Sequence, residues 1–203
     1  MRKLRIVPVV AVLAMMALAG CGGGNTINPP SNAQVFSFES DMQGWTKKGI
    51  DLVVGGSTVD WSIQRSTDRA TVGANSLKFY LDNRTDAGKI WIERPFAVNA
   101  NQRYRVNVQY SLATSDFGDF NLWSIITGVR ATPAQNRNDL TYQGNTGNGA
   151  NSDVGYRWFE KSYNFDATSG ADGKLYVDIG VWGTWETPRT YYIDNVRVVF
   201  TPQ

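Results

Sequence analysis

Two indole rings, Trp182 and Trp185, stand three residues apart in "VWGTWETP", with Glu186 directly after the second. Flat aromatic faces and a neighbouring carboxylate suit a sugar ring. The rings stack on its C–H faces and the carboxylate accepts a hydroxyl proton. Trp182 lies opposite the apolar parity of its segment, Leu175, Val177, Ile179 and Val181, and shares a side with Tyr176 and Asp178. Trp185 falls between Gly183 and Pro188, in a turn or strand end. A ligand platform and plain loop packing both satisfy this pattern. Arg105, Asn107 and Gln109 form a polar stripe in "RYRVNVQYSL" that could bond hydroxyls, or could be a solvated sheet face. Trp123 and Trp91 are weaker candidates, and Trp45 and Trp158 read as structural.

Asp194 raises a different question. In "YYIDNVRVVF" it shares parity with Val196, Val198 and Phe200, so it is expected to point inward. A buried carboxylate needs a cation, hydrogen bonds or a proton. Backbone N–H groups, or an arginine such as Arg69, would serve as well as a metal.

Catalysis has little to work with. The chain has no histidine and one cysteine. That excludes a Ser-His-Asp triad, histidine metal sites and a disulfide framework within the chain. A glycosidase would need two facing carboxylates. Glu93 and Glu186 are the available ones. Glu93 is expected to pair with Arg94 or another surface arginine, and Glu186 to accept a ligand hydroxyl. The chain is expected not to be an enzyme.

Residues 1–20 read as a secretory signal: Arg2, Lys3 and Arg5, an apolar run, then small residues. "LAGC", residues 18–21, resembles the bacterial lipobox, which implies that Cys21 is lipidated and becomes the first mature residue. Two or more acyl chains would hold the protein stably on a membrane. Gly22 is not the aspartate that retains lipoproteins in an inner membrane. The expected location is therefore the cell envelope, at the outer membrane or cell surface. Residues 21–34 form a Gly- and Asn-rich tether ending near Pro29-Pro30, and residues 35–203 suit one domain. Removing Arg2, Lys3 and Arg5 from the 20 basic residues leaves 17 against 18 acidic ones, so no basic field awaits nucleic acid.

Strand alternation recurs without a sustained helical period. Strands are expected near residues 35–39, 60–65, 76–82, 89–96, 103–112, 121–129, 157–165, 174–182 and 191–200. Polar turns such as "DNRTDAGK" and "DATSGADGK" separate them. Residues 143–155, "QGNTGNGANSDVG", lack apolar anchors and are expected to form a mobile loop. The class is all-β, a jelly-roll sandwich.

Four segments, in order, resemble jelly-roll carbohydrate-binding modules with the galactose-binding-like fold: "FSFESDMQGW", "DRATVGANSLKFYLDN", "IERPFAVNANQRYRVNVQYS" and "RTYYIDNVRVV". The resemblance spans residues 36–199. It implies a structural calcium between the first and last strands, with Glu39 and Asp194 as ligands and Asp68 as a looser match. Calcium's preference for several oxygen ligands agrees with carboxylates there. The expected protein is a non-catalytic surface lipoprotein. It binds a polysaccharide or other glycan through Trp182, Trp185, Glu186, the Arg105–Asn107–Gln109 stripe and Trp123. The alternative is a structural or adhesive envelope domain without saccharide specificity.

Overall fold

The computed structural model describes residues 33–203; the expected signal, Cys21 and most of the tether lie outside the described residues. Thirteen strands form among those residues: β1 (Gln34–Phe36), β2 (Thr46–Ile50), β3 (Val53–Val54), β4 (Ser57–Thr58), β5 (Trp61–Ser66), β6 (Ser76–Asp82), β7 (Lys89–Ala97), β8 (Arg103–Thr114), β9 (Ser124–Arg130), β10 (Tyr142–Asn145), β11 (Arg157–Thr168), β12 (Lys174–Trp182) and β13 (Pro188–Pro202). One sheet has the order β11-β8-β13-β6-β5, with β1 also paired to β13. The other has the order β10-β9-β12-β7-β2, and β3 and β4 make a separate hairpin. The result is the expected jelly-roll sandwich.

Period-two alternation explains the layers. Tyr104, Val106, Val108, Tyr110 and Leu112 of β8 meet Leu175, Val177, Ile179 and Val181 of β12 in one core, with Phe79, Ile92 and Phe96. Each such side chain contributes about 1.5–3 kcal/mol on full burial. Trp45 joins this core, as expected, and packs edge-on against Phe36 at 5.5 Å.

The last strand departs from simple alternation. Its ladder with β8 shifts register between Asp194 and Arg197, where Asn195 adopts φ +49°. This β-bulge reverses the phase of the strand. Tyr191 and Ile193 face the core before it, and Val196, Val198 and Phe200 face the core after it. Asp194 pairs across from Ser111, on the outward parity of β8. The inward orientation expected for Asp194 is thus corrected: the parity count ran through a bulge. The bulge also marks an exchange of partners. β6 pairs with β13 up to Ile193, and β1 takes over from Val196.

Two further expectations change. The first strand stops at Phe36 instead of reaching Glu39, because Phe38 turns to φ +57° and buries its ring. Residues 143–155 are tied down, contrary to the expected mobile loop. Thr146 N–H donates to the Trp123 carbonyl at 2.8 Å, and Asn148 N–H to the Asp116 carbonyl at 2.7 Å. Thr146 and Asn148 are fully buried.

The bulge supplies a test. An L residue tolerates the left-handed region at a cost of about 1–2 kcal/mol, least for Asn and Gly and most for β-branched side chains. Asn195→Gly is expected to leave the urea midpoint nearly unchanged. Asn195→Val is expected to lower stability by about 1–2 kcal/mol or more, and equal midpoints for the two variants would contradict the assignment.

Candidate binding site

The outward face of the five-stranded sheet is the first place to look for Trp182. Trp91, Glu93, Asp178, Gly180, Trp182, Ile126 and Arg130 share it, by their register in β7, β12 and β9. Gly180 is needed there, because a Cβ would run into the Ile90 carbonyl and Trp91. Residues 131–141 close this face. Ala134 and Leu140 pack on Trp91 and Ile126, with Ile50, Tyr142 and Trp182 around them. Ala134 N–H donates to Glu93 Oε2 at 2.7 Å, and Lys48 Nζ donates to the Ala134 carbonyl at 3.3 Å. Arg137 reaches Asp51 at 3.1 Å.

The strap hides charge as well as rings. Glu93 and Asp178 stand directly opposite each other on neighbouring strands, and both are buried. Like charges so placed repel. Each has its own cation: Lys48 lies 2.5 Å from Glu93, and Arg130 contacts Asp178. Glu93 therefore pairs with Lys48, and the expected arginine partner is corrected. Arg94 instead stacks over Phe36 at 4.5 Å. Trp182 is a packing ring here, with Lys89 Nζ 5.0 Å from its ring and Tyr142 at 4.9 Å. It is half-buried against the strap cluster.

An open site lies at one end of the sandwich. A cavity of about 870 Å³ lies between the β8–β9 loop, the loop before β11 and the start of β13. Asp116, Phe117, Asp119, Phe120, Asn121 and Asn151 are among its walls, with Asp153, Tyr156 and Arg189. Phe120 is 84% exposed, Trp185 50% and Phe117 42%. Rings left in water at such levels, beside amides and carboxylates, are what a sugar-stacking surface requires. Trp185 stands on the adjoining β12–β13 loop at the same end. That loop is fixed by Thr184 Oγ1, which donates to the Leu122 carbonyl at 2.6 Å, and by Asn83 Nδ2, which donates to the Trp185 carbonyl at 2.7 Å. Glu186 is exposed beside it.

Asp116 builds the floor. Its Oδ2 accepts from Tyr191 Oη at 2.6 Å and from Thr146 Oγ1, and Arg189 pairs with its Oδ1. Burial, with the Asp116 charge adding to it, pushes the Tyr191 phenol well above its ordinary pKa and keeps it a donor. Trp123 is fully buried behind this floor, 5.6 Å from the Tyr191 ring. Its expected ligand role is corrected: it supports the site and cannot reach a ligand.

The polar stripe is also corrected. Arg105, Asn107 and Gln109 lie on the outer face of the other sheet, away from Trp182 and its layer. They are engaged across the ladder with β11. Asn107 Nδ2 donates to Asn164 Oδ1 at 3.1 Å, Gln109 Nε2 to Ser162 Oγ at 3.4 Å, and Arg105 sits 3.6 Å from Asp166.

Glu39, Asp68 and Asp194 do not converge; no group of three or more metal-binding side chains occurs among the described residues. Asp194 Oδ2 accepts from Thr71 N–H at 2.7 Å, Thr71 Oγ1 at 2.9 Å and Val72 N–H at 3.0 Å, and its Oδ1 accepts from Asn195 N–H at 2.6 Å. Glu39 accepts from the N–H groups of Ala74 and Asn75. Gly73, at φ +67°, brings the loop there, since any Cβ would strike the Glu39 carboxylate. Asp68 is held by Lys78 at 2.8 Å. Arg65 donates to the Phe38 and Glu39 carbonyls. Lone pairs already aimed at N–H donors do not fit a calcium ion, so this clamp joins the 67–75 loop to Glu39, just after the first strand, and to the last strand by hydrogen bonds.

No protein-family model matches the chain, and no curated protein does. Among solved structures, the K2 cleaved adhesin domain of Lys-gingipain aligns with a TM-score of 0.51 and 16% identity, covering 84% of this chain and 99% of that one. A structure of carbohydrate-binding modules from the β-sandwich superfamily aligns at 0.50 with 15% identity, covering 81% of this chain and 60% of that one. The chain shares its β-sandwich fold with these proteins. An apo cyclase from Fischerella sp. also aligns at 0.50 with 16% identity, covering 85% of this chain and 98% of that one, so the shared fold alone does not choose an activity.

Two measurements check the clamp. The thermal midpoint is expected to be the same in calcium and in EDTA, and a chelator-induced fall of several degrees would refute a metal-free clamp. The Ala74 and Asn75 N–H groups, then the Asn75 amide and Arg65, hold the Glu39 carboxyl below its ordinary pKa. A depressed carboxyl stabilises above its unfolded pKa, and that contribution is lost as pH falls through the folded value. Glu39→Gln should therefore flatten the acid limb of stability, read as urea midpoints between about pH 5 and about pH 3.

Proposed function

We propose that this chain is a non-catalytic, lipid-tethered envelope protein that binds a glycan at the loop end of its sandwich. The observation that carries the reading is the exposure of Phe117 and Phe120 at a cavity that Asn121, Asn151, Asp119 and Asp153 also line, with Trp185 exposed on the adjoining loop. The relationship to carbohydrate-binding modules supports it at the level of fold. Phe120 and Trp185 would stack on sugar rings, and Asn121, Asn151 and Glu186 would bond hydroxyls.

The position of the chain's entry supports the tethered part. β13 begins at the cavity, and Gln34 pairs near its far end, at Val198. Residue 34 therefore enters from the opposite end of the sandwich. A lipid on Cys21 would hold that end toward the membrane and turn the cavity outward. The non-catalytic part is supported by Glu93 and Asp178, the facing carboxylates on the closed sheet. Each is ion-paired and covered, so this pair cannot act as acid and base across a glycosidic bond.

The test is binding of the full chain, solubilised in detergent, to a glycan array, followed by calorimetry. Trp185→Ala and Phe120→Ala are each expected to weaken binding by about tenfold or more, equivalent to about 1.4 kcal/mol. Trp182→Ala is expected to lower stability while leaving the affinity of the folded protein within about threefold. Loss of affinity with Trp182 alone would move the site to the strap-covered face and refute this location.

A further inference from the structure

We infer that the loop-end site takes an uncharged, hydroxyl-rich glycan and rejects chains bearing carboxylates or sulfates, an inference that rests on the glycan-binding reading of that site. The hydrogen-bond inventory of the walls carries it. Three carboxylates line the cavity, Asp116, Asp119 and Asp153, against one cation, Arg189. Arg189 is already paired with Asp116. Asp116 spends its other oxygen on Tyr191 and Thr146. The one cation of the floor is therefore already matched by a carboxylate.

The rim is different. Asp119 and Asp153 are exposed and have no ion pair among the described residues. Asp153 Oδ1 accepts one N–H, from Gly155 at 2.9 Å. Glu186, on the adjoining loop, is also exposed without an ion pair. Arg69 and Arg157 lie close by but are not among the residues that line the cavity. Arg69 stacks on Tyr156 at 4.3 Å and spreads toward Tyr192, and Arg157 donates to the Asn148 carbonyl. An ionised carboxylate only accepts hydrogen bonds. The complementary ligand must bring donors, which sugar hydroxyls do. A uronate or sulfate brings acceptors and a like charge, and repulsion between exposed charges a few ångströms apart is felt at low salt and fades beyond the Debye length of about 8 Å at physiological ionic strength.

The experiment compares glucan, galactan and mannan oligosaccharides with the C6-oxidised, uronate form of each, titrated into the full chain at low and high salt. A neutral form is expected to bind at least about tenfold more tightly than its uronate at low salt, with the gap narrowing as salt rises. In Asp119→Asn/Asp153→Asn, the ratio of neutral to uronate affinity at low salt is expected to fall about fivefold or more, whatever happens to neutral affinity itself, since Asn removes the charge and keeps the turn-forming oxygen. Uronates that bind as tightly as neutral forms at low salt, or an unchanged preference in the double variant, would overturn the inference and leave the glycan reading standing. Failure of every oligosaccharide of both kinds would overturn the glycan reading and this inference with it.

Discussion

One buried carboxylate organises the functional end of this molecule. Asp116 receives the Tyr191 phenol, the Thr146 hydroxyl and the Arg189 guanidinium, which belong to β13 and to the loop after β10. Its own carbonyl accepts the Asn148 N–H. A charge taken out of water at such a point is tolerated only when its lone pairs are filled with good geometry. Filling them forces three chain segments to meet at fixed positions. Phe117 and Phe120 follow Asp116 by one and four residues, so the same constraint that satisfies the charge projects those rings outward.

The two broad faces of the sandwich are then accounted for without a ligand. One carries cross-strand pairs between β8 and β11. The other carries rings and opposed charges beneath the 131–141 strap, whose turn is itself held by an N-capping Asn136 and by Asp139. Buried ion pairs add little net stability, but breaking one partner of such a pair is costly. The strap is thus bound to its charges as well as to its apolar contacts. The loop end is open, and there stacking and hydrogen-bonding groups meet water.

Much of the fold was legible because period-two alternation maps directly onto half-buried strands. β6 and β12 were predicted with the bounds observed. The failures share a physical cause: parity and spacing say nothing about what lies above a face. Trp182 was correctly set on the outward side of β12, yet the strap that covers it comes from a distant segment. Trp123 sits at a strand entrance that alternation leaves undetermined, and its burial depends on Tyr191. Asp194 was misplaced because a single left-handed residue, Asn195, inverted the count. Phe117 and Phe120 were missed although "SDFGDFN" gave a signal: two aromatic rings in a turn rich in Asp and Gly have no strand face on which to hide. Residues 143–155 looked unanchored because their anchors are the backbone and the Thr146 and Asn148 side chains, and not apolar groups.

Hydrogen–deuterium exchange of the full chain, with and without a saturating neutral oligosaccharide, tests the central claim most directly. The account predicts new protection in residues 115–121, 151–156 and 185–187, with residues 131–141 equally protected in both states. Protection confined to residues 131–141, or opening of that strap when the saccharide binds, would contradict it.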